Sequence, residues 1–243
     1  MDNLETLLES KELPYKERWH PKALDNYKKI IEFGCLKNLE DEIRRNIAYS
    51  LQYLEFLELQ LQEFHLQNVI EKMIYKSYII ISVSIIEAIF DEIVKFNNCY
   101  KKENWKVIKE IGTNNYKLNG KEYKMNTIVF QKLETPIDGI MKFEEVFNQI
   151  QKKKLLNLIH SQLHPLKRFY KLRNHVHLTK YEEGRTNWHE FKREDYVIIK
   201  FLLQCILRDK KLENKKYVGN CLDFLDLSDD EQRIVAKLNN KRD

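Results

Sequence analysis

From about Asn38 to Gln67, apolar residues recur at spacings of three and four: Ile43, Ile47, Leu51, Leu54, Leu57, Leu61 and Phe64. Glutamates and glutamines fill the intervening positions. That period places the apolar set on one helical face and predicts a long amphipathic helix. The next stretch, Asn68 to Phe96, is apolar nearly all round between Ser77 and Phe90. A helix without a polar face belongs at the centre of a fold. Ile and Val within Tyr78 to Ile86 also suit a strand. The segment is too long for one strand and its flanks keep helical spacing, so a second long helix is predicted.

The pattern then changes. Between Asn97 and Thr135 helical spacing gives way to turn chemistry, with Asn114-Asn115 and Leu118-Asn119-Gly120-Lys121. Asn-Gly is a strong hairpin dipeptide. Tyr123, Met125, Ile128, Val129 and Phe130 follow it and pair with Tyr116 and Leu118 in the predicted small hairpin or loop insertion. Helical spacing resumes in Phe143 to Ile150, in Leu155 to about His177, and in Phe191 to Arg208. Pro165 predicts a kink or fresh start inside the second of these. Thr179 to Asn187, with Gly184, reads as a loop. Ser228-Asp229-Asp230-Glu231 has the form of a capping box opening a short helix to Leu238. Residues 1–37 read as short helices around Pro14 and Pro21, docked through Trp19 and Phe33, with Gly34 as a helix stop.

These elements predict an all-α bundle with a small β-hairpin insertion, built as one domain over residues 1–243. Within it, 38–97 form a core helical hairpin, 98–135 the insertion, 141–208 the later helices and 209–243 a tail. Only six Gly and four Pro in 243 residues argue against a turn-rich sandwich. The net charge of +5 permits an anionic partner without requiring one. Cys35, Cys99, Cys205 and Cys221 are scattered without metal-ligand spacing, so no structural zinc is expected. They read as reduced thiols of a cytoplasmic protein. The N-terminal MDNLETLLES lacks a signal-peptide core. The most apolar run, Tyr78 to Phe90, contains Glu87 and falls short of the ~20 apolar residues a bilayer requires, so no membrane association is expected.

Histidines and cations crowd in one place: His160, His164, Lys167, Arg168, Lys171, Arg173, His175 and His177. On a helix, Arg173 and His177 would share a face. A guanidinium grips two phosphate oxygens at once, and an imidazole exchanges protons near neutral pH. The same residue types also complement a helix C-terminal dipole in a solvated helix end. Asn174 suits either phosphate orientation or a C-cap. His175 is a second candidate proton carrier or an exposed histidine. His160 and His164 have no acidic neighbour and read as surface residues. Glu87, a carboxylate in an apolar helix, requires a partner or a proton. Lys171, Lys180 and Tyr181 flank the cluster and suit RNA backbone or base, or plain solvation. Tyr116, Lys117, Lys121, Tyr123 and Lys124 interleave rings and cations in the insertion, as single-strand binders do. Phosphate-cradling Gly loops and nucleophile-elbow or zinc-protease motifs are absent from the sequence.

The segment Arg173-Asn174-x-x-His177 resembles the signature of the HEPN family of helical ribonucleases and toxins, in a short-spacing form. The resemblance extends to a helical layout with a Glu-bearing apolar helix upstream. It implies a HEPN-like bundle and a metal-independent endoribonuclease without cofactor. In that chemistry the RNA's 2′-OH attacks the adjacent phosphodiester. Arg173, His177 and Asn174 are the implied catalytic residues, with Glu87 and His175 accessory. It further implies a homodimer with two motifs facing across a groove, because one Arg-His pair supplies too few groups. Such proteins act as toxins or antiviral effectors in abortive infection, with an antitoxin or defence-system partner. The alternative is a catalytically inactive helical RNA-binding or protein-interaction module.

Overall fold

The computed structural model describes residues 14, 19–112, 115–158, 160–174, 190–213 and 219–240. Within them lie eight α-helices: α1 (Leu24–Ile30), α2 (Asp41–Glu63), α3 (Asn68–Phe96), α4 (Phe143–Lys152), α5 (His160–Leu163), α6 (Pro165–Arg173), α7 (Arg193–Leu207) and α8 (Asp229–Asn240). Short 3₁₀ turns at Gly34–Leu36, Lys210–Leu212 and Gly219–Leu225 join them.

Helix α3 is the axis of the body. It packs against α2, α4, α6 and α7. Its buried residues, among them Ile74, Tyr78, Ile79, Val83, Ile86, Ile89, Phe90 and Ile93, fall on more than one side of the helix. This is the placement its all-round apolar sequence predicts. Helix α2 presents the narrower stripe of Ile47, Leu51, Leu54 and Leu57. The break predicted near Pro165 is present: α5 stops at Leu163, and Pro165 opens α6, where its missing N–H costs nothing. Ser228 and Glu231 form the reciprocal capping box at the start of α8. Gly34 does not end a helix, since α1 has already stopped at Ile30; it adopts φ +59° where a Cβ would lie 2.7 Å from the Leu212 carbonyl oxygen.

The all-α bundle expected from the helical periodicity, with the HEPN-like form that the resemblance implied, is overturned by the insertion. It is a long antiparallel ribbon, not a small hairpin. β1 (Lys102–Gly112, 11 residues) pairs with β4 (Asn126–Asp138, 13 residues). β2 (Tyr116–Leu118) and β3 (Lys121–Tyr123) continue it to a tip at Asn119-Gly120. The Asn-Gly turn falls where expected, with both residues at positive φ. The pairing does so only for Tyr116 with Tyr123. Ile128, Val129 and Phe130 lie opposite Glu110, Lys109 and Val107, whereas Tyr116 and Leu118 pair with Tyr123 and Lys121. The physical reason is that lysines and glutamates break up β1 while apolar residues run consecutively in β4 at Ile128-Val129-Phe130, so the period-two signal is weak in both strands. Two register shifts, between Glu103 and Trp105 and between Val107 and Lys109, break it further. The ribbon also runs to Asp138, past the expected boundary at 135, and Gly139 closes its base by donating to the Lys101 carbonyl at 2.8 Å.

All four cysteines are free thiols. No described helix is long and apolar enough to cross a membrane.

Candidate functional site

Helix α6 carries the cationic end of the motif. Leu166, Phe169 and Leu172 are buried, which fixes the helix against α3 and turns Lys171 outward. Arg173 is the last helical residue and Asn174 the C-cap, its backbone N–H turned back onto the Lys171 and Leu172 carbonyls. The Asn174 side chain is exposed. The helix on which Arg173 and His177 would stack therefore ends at Arg173. His175, His177, Lys180 and Tyr181 lie outside the described residues, as does the His160 side chain.

The structure brings Arg173 and Glu87 together across 86 positions of sequence. The Arg173 Nη1 donates to Glu87 Oε2 from α6 to α3, and both side chains are partly exposed. Ser84 and Asp91, the polar neighbours of Glu87 on its own helix, are engaged elsewhere. Ser84 donates to the Ile80 carbonyl at 3.0 Å, and Asp91 accepts from the Tyr100 hydroxyl at 2.8 Å and pairs with Lys95 at 2.6 Å. Glu87, whose side chain is 35% exposed, takes Arg173 as its partner.

Tyr170, one turn before Arg173, supplies the second support. Its ring lies 4.8 Å under the guanidinium carbon. Tyr170 stacks on Phe143 at 4.3 Å and 8°, and Phe143 lies parallel to Phe90 at 6.5 Å and 3°. The guanidinium therefore rests on an aromatic stack running from α6 through the start of α4 to α3. Cation–π attraction and the carboxylate together hold its plane. The sequence reading omitted Tyr170, although its i−3 spacing from Arg173 was the available signal.

The other cations of the cluster have separate roles. Arg168 forms a two-pronged pair with the buried Asp195 at the start of α7, one arm at 2.9 Å. Lys167 lies 5.2 Å over the Phe147 ring. His164 is the exposed N-cap of α6. Among the described residues, no group of three or more His, Cys, Asp or Glu is placed to hold a metal ion.

A second charged cluster, which the sequence reading did not anticipate, lies deep in the body. Lys200 of α7 donates to Glu58 of α2 at 2.7 Å and to Glu231 of α8 at 3.1 Å. Tyr196 donates to the other Glu58 oxygen. Burial outweighs the lysine and holds the Glu58 carboxyl above its usual range. The cluster ties three helices together and has structural geometry.

Comparison with known proteins found no matching family model, no similar curated protein and no similar solved structure.

Proposed function

We propose that the chain is a metal-independent endoribonuclease of the HEPN type. The observation that carries this reading is the held guanidinium of Arg173, set by Glu87 and Tyr170 at the residue where the Arg-Asn-x-x-His segment begins. One Nη of Arg173 is used by Glu87, and a guanidinium has five N–H donors. The remaining edge suits a phosphate and the extra negative charge that develops as the 2′-OH attacks. His177 moves a proton to or from a reacting oxygen. Asn174, exposed beside Arg173, orients the phosphate, and Glu87 acts as a positioning residue. His175 is the accessory proton carrier. Lys171, Lys180 and Tyr181 contact RNA. A homodimer bringing two motifs to one groove supplies the full set of acid, base and charge stabiliser. The setting this implies is a cytoplasmic toxin or antiviral effector with an antitoxin or defence partner.

A second reading is a non-catalytic RNA-binding module. The interleaved lysines and tyrosines of the ribbon tip favour it, with Tyr116 and Tyr123 stacked at 5.7 Å on an exposed face.

The test is incubation of purified protein with total RNA in EDTA, beside His177→Ala. The expected products carry 2′,3′-cyclic phosphate and 5′-OH ends, and His177→Ala forms them far more slowly. Cleavage that stops on chelation and returns with Mg²⁺ refutes the mechanism. RNA binding without cleavage selects the second reading.

A further inference from the structure

The ribbon is the least explained part of the molecule. Among the described residues no helix covers it: every described position of β1 and β4 is exposed except the half-buried Glu103 and Leu133. A two-stranded ribbon standing alone in water is marginally stable. Yet this one exposes Trp105 to 54%, Ile108 to 56% and Phe130 to 52%. Large apolar side chains gathered on an open face mark a contact surface.

The register sorts the two faces. Directly opposed residues of an antiparallel pair share a face, as do alternate residues along a strand. Trp105/Lys132, Val107/Phe130 and Glu110/Ile128 therefore form one face. Lys106/Gln131, Lys109/Val129 and Ile111/Thr127 form the other. Ile108 is the extra residue at the shift between Val107 and Lys109. The first face is apolar at its centre, with Lys132 at the body end and Glu110 at the tip end. The edges are blunted against strand addition by two bulges and by Pro136 in β4. Contact through the face is left as the accessible mode.

We infer that this face docks on the same face of a second copy of the chain, with the two ribbons antiparallel about a two-fold axis near Val107 and Phe130. Self-complementarity carries the choice of occupant. The axis lays the Trp105–Lys132 end of one ribbon over the Glu110–Ile128 end of the other, so each Lys132 lies diagonally across from a Glu110 of the other copy and the interface holds that pair twice. A nucleic acid fits this face poorly. Val107, Ile108 and Ile128 answer no phosphate, Glu110 repels one, and Lys106 and Lys109 lie on the opposite side. The area is adequate. Five half-exposed apolar residues present roughly 500 Å² per copy, and two copies reach the ~1,000 Å² that a specific interface needs. The inference uses no residue of the motif; it shares with the ribonuclease reading only the expectation of a homodimer, and the Phe130→Asp arm tells the ribbon contact from a motif-to-motif one.

The test is sedimentation velocity of the full chain from about 1 to about 100 µM, with circular dichroism to show that each variant keeps its helices. Wild type is expected to dimerise, and Phe130→Asp to raise the dissociation constant at least ~30-fold. Glu110→Lys and Lys132→Glu should each weaken the dimer, and the two combined should restore it. A monomer at the highest concentration overturns the inference. So does a dimer indifferent to Phe130→Asp, or a charge swap that fails to restore. A monomeric wild type whose affinity for labelled single-stranded RNA falls with Phe130→Asp also overturns it, and assigns the face to RNA.

Discussion

Lys200→Met isolates the electrostatics of the buried cluster, because Met fills nearly the same volume in an unbranched chain. The Lys200 side chain is 1% exposed and its ammonium lies 2.7 Å from Glu58 and 3.1 Å from Glu231. Removing it leaves two carboxylates facing each other out of water. The Glu58 carboxylate keeps the Tyr196 hydroxyl, and the Glu231 carboxylate keeps the Ser228 backbone N–H. Breaking such a pair from one side costs about 3–5 kcal/mol. For a chain of this size that corresponds to a fall in Tm of about 6–20 °C. The cost must depend on pH. Burial raises the Glu58 carboxyl in the folded state, and Lys200 is the main opposing influence. Without Lys200 the carboxyl rises further. An acid with a raised folded pKa destabilises nothing while both states are protonated. It lowers stability as pH climbs from the unfolded pKa through the folded one. The variant should therefore be weakest at about pH 7.5 and recover toward about pH 5. Adding Glu58→Gln, which keeps an acceptor for Tyr196 without the charge, should return more than half of the loss. Urea unfolding of the three proteins at both pH values measures this. A Lys200→Met variant within about 1 kcal/mol of wild type at both pH values refutes the reasoning.

Three further outcomes are expected. His177→Ala should leave RNA affinity nearly intact and cut single-turnover cleavage about 10²–10⁴-fold, while Arg173→Ala weakens both and Arg173→Lys regains binding better than cleavage; an equal rate for His177→Ala and wild type would move the proton-transfer role to His175. Glu87→Ala should cost no more than about 1 kcal/mol of stability, because the pair is partly exposed, yet slow cleavage by releasing the guanidinium; unchanged kinetics would remove Glu87 from the site. Gly34→Ala should destabilise by more than about 1–2 kcal/mol, since φ +59° is strained for alanine and its Cβ would press on the Leu212 carbonyl, whereas Gly120→Ala at the open ribbon tip should leave the body's melting temperature unchanged.

Local signals were legible wherever one residue's surroundings along the chain decide its conformation. The bounds of α3, the restart at Pro165, the Ser228 capping box and the Asn119-Gly120 turn follow from periodicity, ring geometry and short-range hydrogen bonding. Although water also reaches the Glu87 side chain, 35% exposed, the expectation that it find a partner is a sequence statement. Which partner it finds is not. Ser84 and Asp91 are nearer along the chain, and only the packing of α6 on α3 delivers Arg173 and the ring beneath it. Lys200 and Glu58 look like ordinary polar positions of amphipathic helices until α2, α7 and α8 close over them. The ribbon is the sharpest case. Tyr116 and Leu118 were near and plausible mates for the later strand, yet Val107 to Glu110 take that place. Strand pairing is a long-range choice, made by bulges, register and the closing of the base at Gly139, and no single strand carries that information alone.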